Sequence, residues 1–326
     1  MFRASGVGVS PRTEGAPGPR RLAVRAFAKL NLALEVLGPR ADGYTEIATV
    51  FQTIDICDTI ELRSDPGARG ALALETVGTE PCPPEQNLAW RAARGWLDRA
   101  GDPFGVALRL RKELPAGAGL GGGSADAAAV LWGLDRLAAE PLGEPELARL
   151  ATGLGADVPY LLTGGLALGT GRGDRIEPLD DLPPLPVVVA WTGSGLSTAE
   201  VYRRARAGLT AIGPASKMRR FLSRLRPSES DIPAPFNDLY PAAADLAPAV
   251  QRLAGRLSAL GGRGGMTGSG SAVFGLFTDE RAAAEAAERL GNDEPGAWVR
   301  AARTLPRRDL AARRIVEDRD GRIAAP

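Results

Sequence analysis

Residues Pro115–Ser124 read Pro-Ala-Gly-Ala-Gly-Leu-Gly-Gly-Gly-Ser, with five glycines in the seven residues from Gly117 to Gly123. Glycine loses more conformational freedom on folding than any other residue, so such a run is a costly hinge. It is well suited to a place where the backbone must approach a ligand closely. A helix is expected directly after it. Ala127, Leu131, Leu134 and Leu137 recur at helical spacing, Ser124 stands where a cap belongs, and Asp126 falls in the first turn. Exposed N–H groups at the start of that helix make an anion site.

Two familiar anion loops fit poorly. Gly117-x-Gly119-x-x-Gly122 matches the dinucleotide fingerprint in form, but Glu140 sits in a turn and a second helix follows where a parallel strand is needed. The P-loop pattern requires lysine before its last hydroxyl residue, and Gly123 stands there. A different phosphate loop, with phosphates lying on Gly119–Ser124, fits best, and a plain glycine hinge and the dinucleotide-binding oxidoreductase stay as alternatives.

Composition narrows the chemistry. There is no histidine, which removes Ser-His-Asp triads, His-zinc hydrolysis and a histidine base together. Proton transfer must fall to Asp, Glu, Lys, Tyr or Cys. Only Lys29, Lys112 and Lys217 are lysines, so each one merits a question. Cys57 and Cys82 suffice for neither a metal cluster nor a disulfide framework, which points to a reducing cytoplasm. Forty basic residues against 39 acidic ones argue against a broad nucleic-acid surface, and no apolar run reaches the length of a membrane span.

Along the chain, residues 1–20 read as a disordered leader. Extended runs are predicted over 22–37, 47–53, 54–62, 106–110, 185–191 and 272–277, with a turn at Pro39–Gly43. Helices are predicted over 87–99, 145–153, 198–208, 242–260 and 280–290, and residues 213–235 read as a basic surface loop. This order suggests an α+β chain in two halves. The domains expected are 21–175 and 176–310, followed by a solvated tail over 311–326.

Pro115–Ala129 resembles the ATP-binding motif of the GHMP kinases (galactokinase, homoserine, mevalonate and phosphomevalonate kinases). The likeness is greatest to the branch acting on 4-diphosphocytidyl-2-C-methyl-D-erythritol. Further segments agree in order: Ala28-Lys29-Leu30-Asn31-Leu32 with Arg40-Ala-Asp-Gly-Tyr44, then Phe51-Gln-Thr-Ile-Asp55, then Leu154-Gly-Ala-Asp-Val-Pro159. Asn237-Asp-Leu and Met266–Ser271 complete the set, and the resemblance runs from Arg21 to Phe277.

The resemblance implies two α+β domains, S5-like then ferredoxin-like, with ATP and substrate in the cleft between them. It implies transfer of phosphate from ATP to the 2-hydroxyl of that cytidine diphosphate ester, a step of the non-mevalonate isoprenoid pathway. Asp157 would take the hydroxyl proton, while Lys29 stabilises the nucleophile and keeps Asp157 ionised. Pro115, Gly117, Gly119, Leu120, Gly121, Gly122, Gly123 and Ser124 would hold ATP, with Ser124 also touching Mg²⁺. Asn31, Asp42, Tyr44, Thr45 and Tyr202 would bind the substrate, the two tyrosines stacking on its pyrimidine.

The chain departs from the family pattern at Thr45, where histidine is usual, at Thr192 for proline, and at Ala125 for serine. A kinase for another small alcohol, such as homoserine or a mevalonate derivative, stays open at this stage. So do a catalytically silent ATP-binding relative and the choice between monomer and homodimer.

Overall fold

The computed structural model describes residues 19–78, 82–208, 216–226 and 232–316. The leader expected over 1–20 therefore lies almost wholly outside the described residues, as does the end of the tail.

A long antiparallel hairpin organises the first half. Strand β1 (Arg20–Pro39) pairs with β2 (Thr45–Asp65) through most of its length. β2 is continuous where two separate runs were expected. The pairing jumps from Phe27↔Cys57 to Lys29↔Thr53, so Ile54–Ile56 bulge and the alternation restarts within a single strand. The turn at 40–44 is pinned by Asp42, whose Oδ1 accepts from Tyr44 N at 3.1 Å, while Gly43 takes φ +84°.

The remaining elements of this half are β3 (Leu72–Val77), α1 (Leu88–Ala100), β4 (Gly105–Arg111), α2 (Gly122–Leu137), α3 (Glu144–Leu154), α4 (Val158–Thr163), β5 (Leu166–Gly171) and β6 (Arg175–Pro178). Asn87 caps α1 by accepting from Ala89 N at 2.9 Å. Strands β3, β4, β2 and β1 lie in that order, with β5 on β2 and β6 on β5. Helices α1–α4 cover one face and enclose Trp96, Leu131, Leu134 and Tyr160. Each such buried apolar side chain contributes about 1.5–3 kcal/mol by its removal from water.

The second half holds β7 (Pro186–Trp191), α5 (Thr198–Gly208), α6 (Ser216–Arg224), β8 (Phe236–Asn237), α7 (Tyr240–Leu246), α8 (Pro248–Ala259), β9 (Arg263–Met266), β10 (Val273–Leu276), α9 (Glu280–Asp293), β11 (Trp298–Arg303) and α10 (Arg307–Arg314). Its antiparallel sheet runs β11-β7-β10-β9. The two-residue β8 crosses over and pairs with β1 in parallel, tying this half to the first sheet.

Several expectations change here. The helix expected over 242–260 is two helices, because Pro248 cannot continue α7 and opens α8 instead. The loop expected over 213–235 contains α6. Met218 and Phe221 are buried on one side of it, Leu225 is buried just past its end, and Glu35 accepts from the Met218 N–H at 2.7 Å. The start of the expected solvated tail, just past the buried Leu310, returns to the first half: Ile315 bridges to Val24, and Arg314 donates to the carbonyls of Leu161 and Leu162 at 2.7 and 2.9 Å.

Candidate active site

The glycine run closes one wall of a cavity of about 1530 Å³ between the two halves. Helix α2 starts earlier than expected. Its N-cap is Gly121 at φ +75°, with no side-chain cap, so Ser124 lies inside the first turn rather than before it. Glycine supplies that left-handed start without strain. Gly119, at φ +82°, shows why no side chain fits: a Cβ there would lie 2.4 Å from the carbonyl oxygen of Thr267. The loop is also tied by its backbone. Leu120 O accepts from Lys29 N at 3.1 Å, and Ala118 O accepts from Ala272 N at 2.9 Å.

The facing loop, Met266–Ser271, belongs to the second half. Asn237 braces it by donating to the carbonyls of Met266 and Gly268 at 2.9 and 2.8 Å. Both halves therefore contribute backbone to one cavity wall.

Lys29 and Asn31 stand two residues apart on β1 and so face the same side. Lys29 Nζ donates to Asn31 Oδ1 at 2.6 Å and lies 3.6 Å from Asp157 Oδ2. The same Asn31 oxygen accepts from Gly268 N at 2.8 Å, and its amide donates to Thr49 Oγ1 at 2.7 Å. The Asn31 side chain is thus fixed on both ends. Asp157 is the N-cap residue of α4, yet its carboxylate makes no cap hydrogen bond and is left for Lys29. Burial lowers the Lys29 pKa from the ordinary lysine value, and the Asp157 charge opposes that shift without cancelling it.

Pro115, Gly117, Gly119, Leu120, Gly121, Gly122, Gly123 and Ser124 all line the cavity. So do Lys29, Asn31, Asp157, Tyr44, Thr45 and Tyr202. Asp42 does not: its carboxylate is engaged by Arg40 and by the Tyr44 N–H, so it shapes the turn that presents Tyr44.

A second charged group lies below the loop and was not foreseen. Lys112, at the end of β4, donates to Asp58 and, at 2.6 Å, to Asp126 Oδ2. Asp58 and Asp126 are both buried, so Asp126 is turned inward rather than set on an exposed first turn. Burial alone would lower the Lys112 pKa, but Asp126 and then Asp58 outweigh it and raise it. Burial raises the Asp126 pKa, with Lys112 pulling the other way. Two acids share one base here, and Asp126 Oδ1 has no hydrogen-bond partner. The scarcity of lysine was the one signal in the sequence that pointed to Lys112.

Family models match both halves: GHMP kinases N terminal domain over residues 87–165, and GHMP kinases C terminal over residues 224–295. Fold and site together define a GHMP kinase. The chain is 40% identical over 284 residues to a 4-diphosphocytidyl-2-C-methyl-D-erythritol kinase of Solibacter usitatus, covering 84% of this chain and 87% of that one. It is also 40% identical over 288 residues to the Deinococcus radiodurans protein of the same name, covering 87% and 94%. A crystal structure of 4-(cytidine 5'-diphospho)-2C-methyl-D-erythritol kinase matches at 38% identity with a TM-score of 0.73, over 87% of this chain and all of that one. A homoserine kinase from Cytophaga hutchinsonii, at 17% identity and a TM-score of 0.66, shares the fold over 92% of this chain and 98% of its own. The chain belongs to the family of 4-diphosphocytidyl-2-C-methyl-D-erythritol kinases.

Proposed function

We propose that the protein transfers the γ-phosphoryl group of ATP to the 2-hydroxyl of 4-diphosphocytidyl-2-C-methyl-D-erythritol, in the cytoplasm. The observation that carries the reading is the Lys29–Asp157 pair standing beside the glycine loop in one cavity. Phosphoryl transfer asks little covalent chemistry of a protein; positioning and charge stabilisation do most of the work.

In this reading Asp157 accepts the proton of the substrate hydroxyl as that oxygen attacks phosphorus. The Lys29 ammonium lies beside Asp157 and faces the charge that gathers on the migrating group. Asn31, clamped by Gly268 and Thr49, fixes the Lys29 amine in turn. The N–H groups from Gly119 to Ser124 take the phosphates of ATP, helped by the positive end of α2. Tyr44 and Tyr202 give aromatic surface for the cytosine ring.

ATP brings Mg²⁺, a hard cation suited to oxygen ligands. The Ser124 hydroxyl and the unpartnered Asp126 Oδ1 are oxygen donors that fit it. When bound, the ion neutralises phosphate charge.

The test is the product of the purified protein with Mg-ATP and the cytidine diphosphate ester. A new phosphomonoester on the 2-carbon, seen by ³¹P NMR, is expected. Phosphorylation of homoserine or mevalonate in its place would overturn the substrate assignment.

A further inference from the structure

The register of β2 against β5 sets Ile47 opposite Gly171, so the turn joining β5 to β6 lies beside the start of β2. Tyr44 and Thr45 stand at that start. Gly171 and Gly173 both take positive φ, +73° and +92°. At Gly173 a Cβ would lie 3.3 Å from Ile47 Cδ1 and 3.7 Å from the Phe51 ring, so the turn is seated closely on β2.

Arg172 is carried at the tip of this turn, and its guanidinium lies over the Tyr44 ring, 4.8 Å from the centroid. Asp174 holds the guanidinium. Arg172 Nε and Nη2 donate to Asp174 Oδ2 at 2.9 and 2.7 Å, and the Arg172 N–H donates to Asp174 Oδ1 at 3.1 Å. Tyr44 is 55% exposed, and both it and Arg172 line the cavity.

An aromatic ring that open to water samples several rotamers, and ordering it on binding costs affinity. A cation held against one face by a fixed carboxylate removes that freedom before any ligand arrives. We propose that Arg172 is a positioning residue for the pyrimidine of the substrate, acting through Tyr44. The Asp174–Arg172–Tyr44 stack presets the ring on which the base lies. This rests on reading the substrate as a cytidine diphosphate ester.

The test compares the wild type with Arg172→Leu, Arg172→Lys, Tyr44→Leu and the double leucine variant. KM for the ester, KM for ATP, kcat and Tm are measured for each. Arg172→Leu should raise the ester KM about two- to fivefold, the range of an exposed cation–π contact. Its ATP KM and kcat should stay within about twofold of wild type, and Arg172→Lys should fall between the two. The double variant should be no worse than Tyr44→Leu alone, since a residue acting through another adds nothing once that other is gone.

An unchanged ester KM in Arg172→Leu overturns the inference. So do effects that multiply in the double variant, or a fall in kcat and Tm with both KM values raised, which marks a merely structural arginine. A wild type that turns over ATP without responding to the ester overturns the substrate reading itself, and the inference with it.

Discussion

Lys29 and Asp157 meet at 3.6 Å from different elements, one buried on β1 and the other a third exposed at the start of α4. The arrangement gives each residue a separate task. The buried amine is held by Asn31 and cannot follow solvent, while the carboxylate remains open to a substrate hydroxyl. Replacing Lys29 with Met removes the positive charge and leaves most of the stem. Turnover should fall about 10²–10³-fold, the usual cost of one preorganised charge-stabilising donor. ATP binding, followed by equilibrium dialysis, should change far less.

Burial lowers the Lys29 pKa, so the protonated amine is lost at lower pH than for a lysine in water. The proposed mechanism uses the charged form. The plot of log kcat/KM for the ester against pH, which reports groups of the free enzyme, should therefore bend downward below the ordinary lysine value of about 10.4. An alkaline limb at or above that value would contradict the assigned role of Lys29.

Gly119 carries a positive φ, and a Cβ there would meet the Thr267 carbonyl at 2.4 Å. Gly119→Ala should force the glycine loop away from the facing loop of the second half. Loss of ATP binding by calorimetry is expected, at least about tenfold, in a protein that stays folded by circular dichroism. Alanine at Gly153, which has open space around its Cβ position, is the matching control and should bind ATP normally.

The Lys112 group below the loop should matter most for stability. Lys112→Met leaves two buried carboxyls without their cation, and breaking a buried pair in that way costs about 3–5 kcal/mol. Asp126→Asn keeps the Lys112–Asp58 pair and should cost much less. Urea unfolding of both variants checks the order.

How much of this was legible in sequence depended on range. The glycine loop and the helix after it are local, and their existence followed from period and turn chemistry. The true start of the helix at a left-handed Gly121, ahead of Ser124, did not. Lys29, Asn31 and Asp157 could be singled out because each sits in a short segment that resembles the family's, and the structure brings the three together. The Lys112–Asp58–Asp126 group was not, since its members are brought together from β2, the end of β4 and α2 only by sheet register. The bulge at Ile54–Ile56 split one strand into two apparent runs because it resets the alternation. Helix α6 was hidden by its basic residues, which surround the buried Met218 and Phe221. The docking of the last helix, α10, depends on carbonyls of α4 and an edge of β1 that no local pattern announces.

In the proposed mechanism Asp157 activates a hydroxyl of the cytidine diphosphate ester for attack on ATP. The most direct test is ester-dependent ADP release by the wild type and by Asp157→Asn, with Mg-ATP. The wild type should release ADP only when the ester is present. The variant should still bind both ligands, with turnover lower by about 10²–10⁴-fold, the range of a positioned general base. Undiminished turnover in Asp157→Asn would contradict the mechanism.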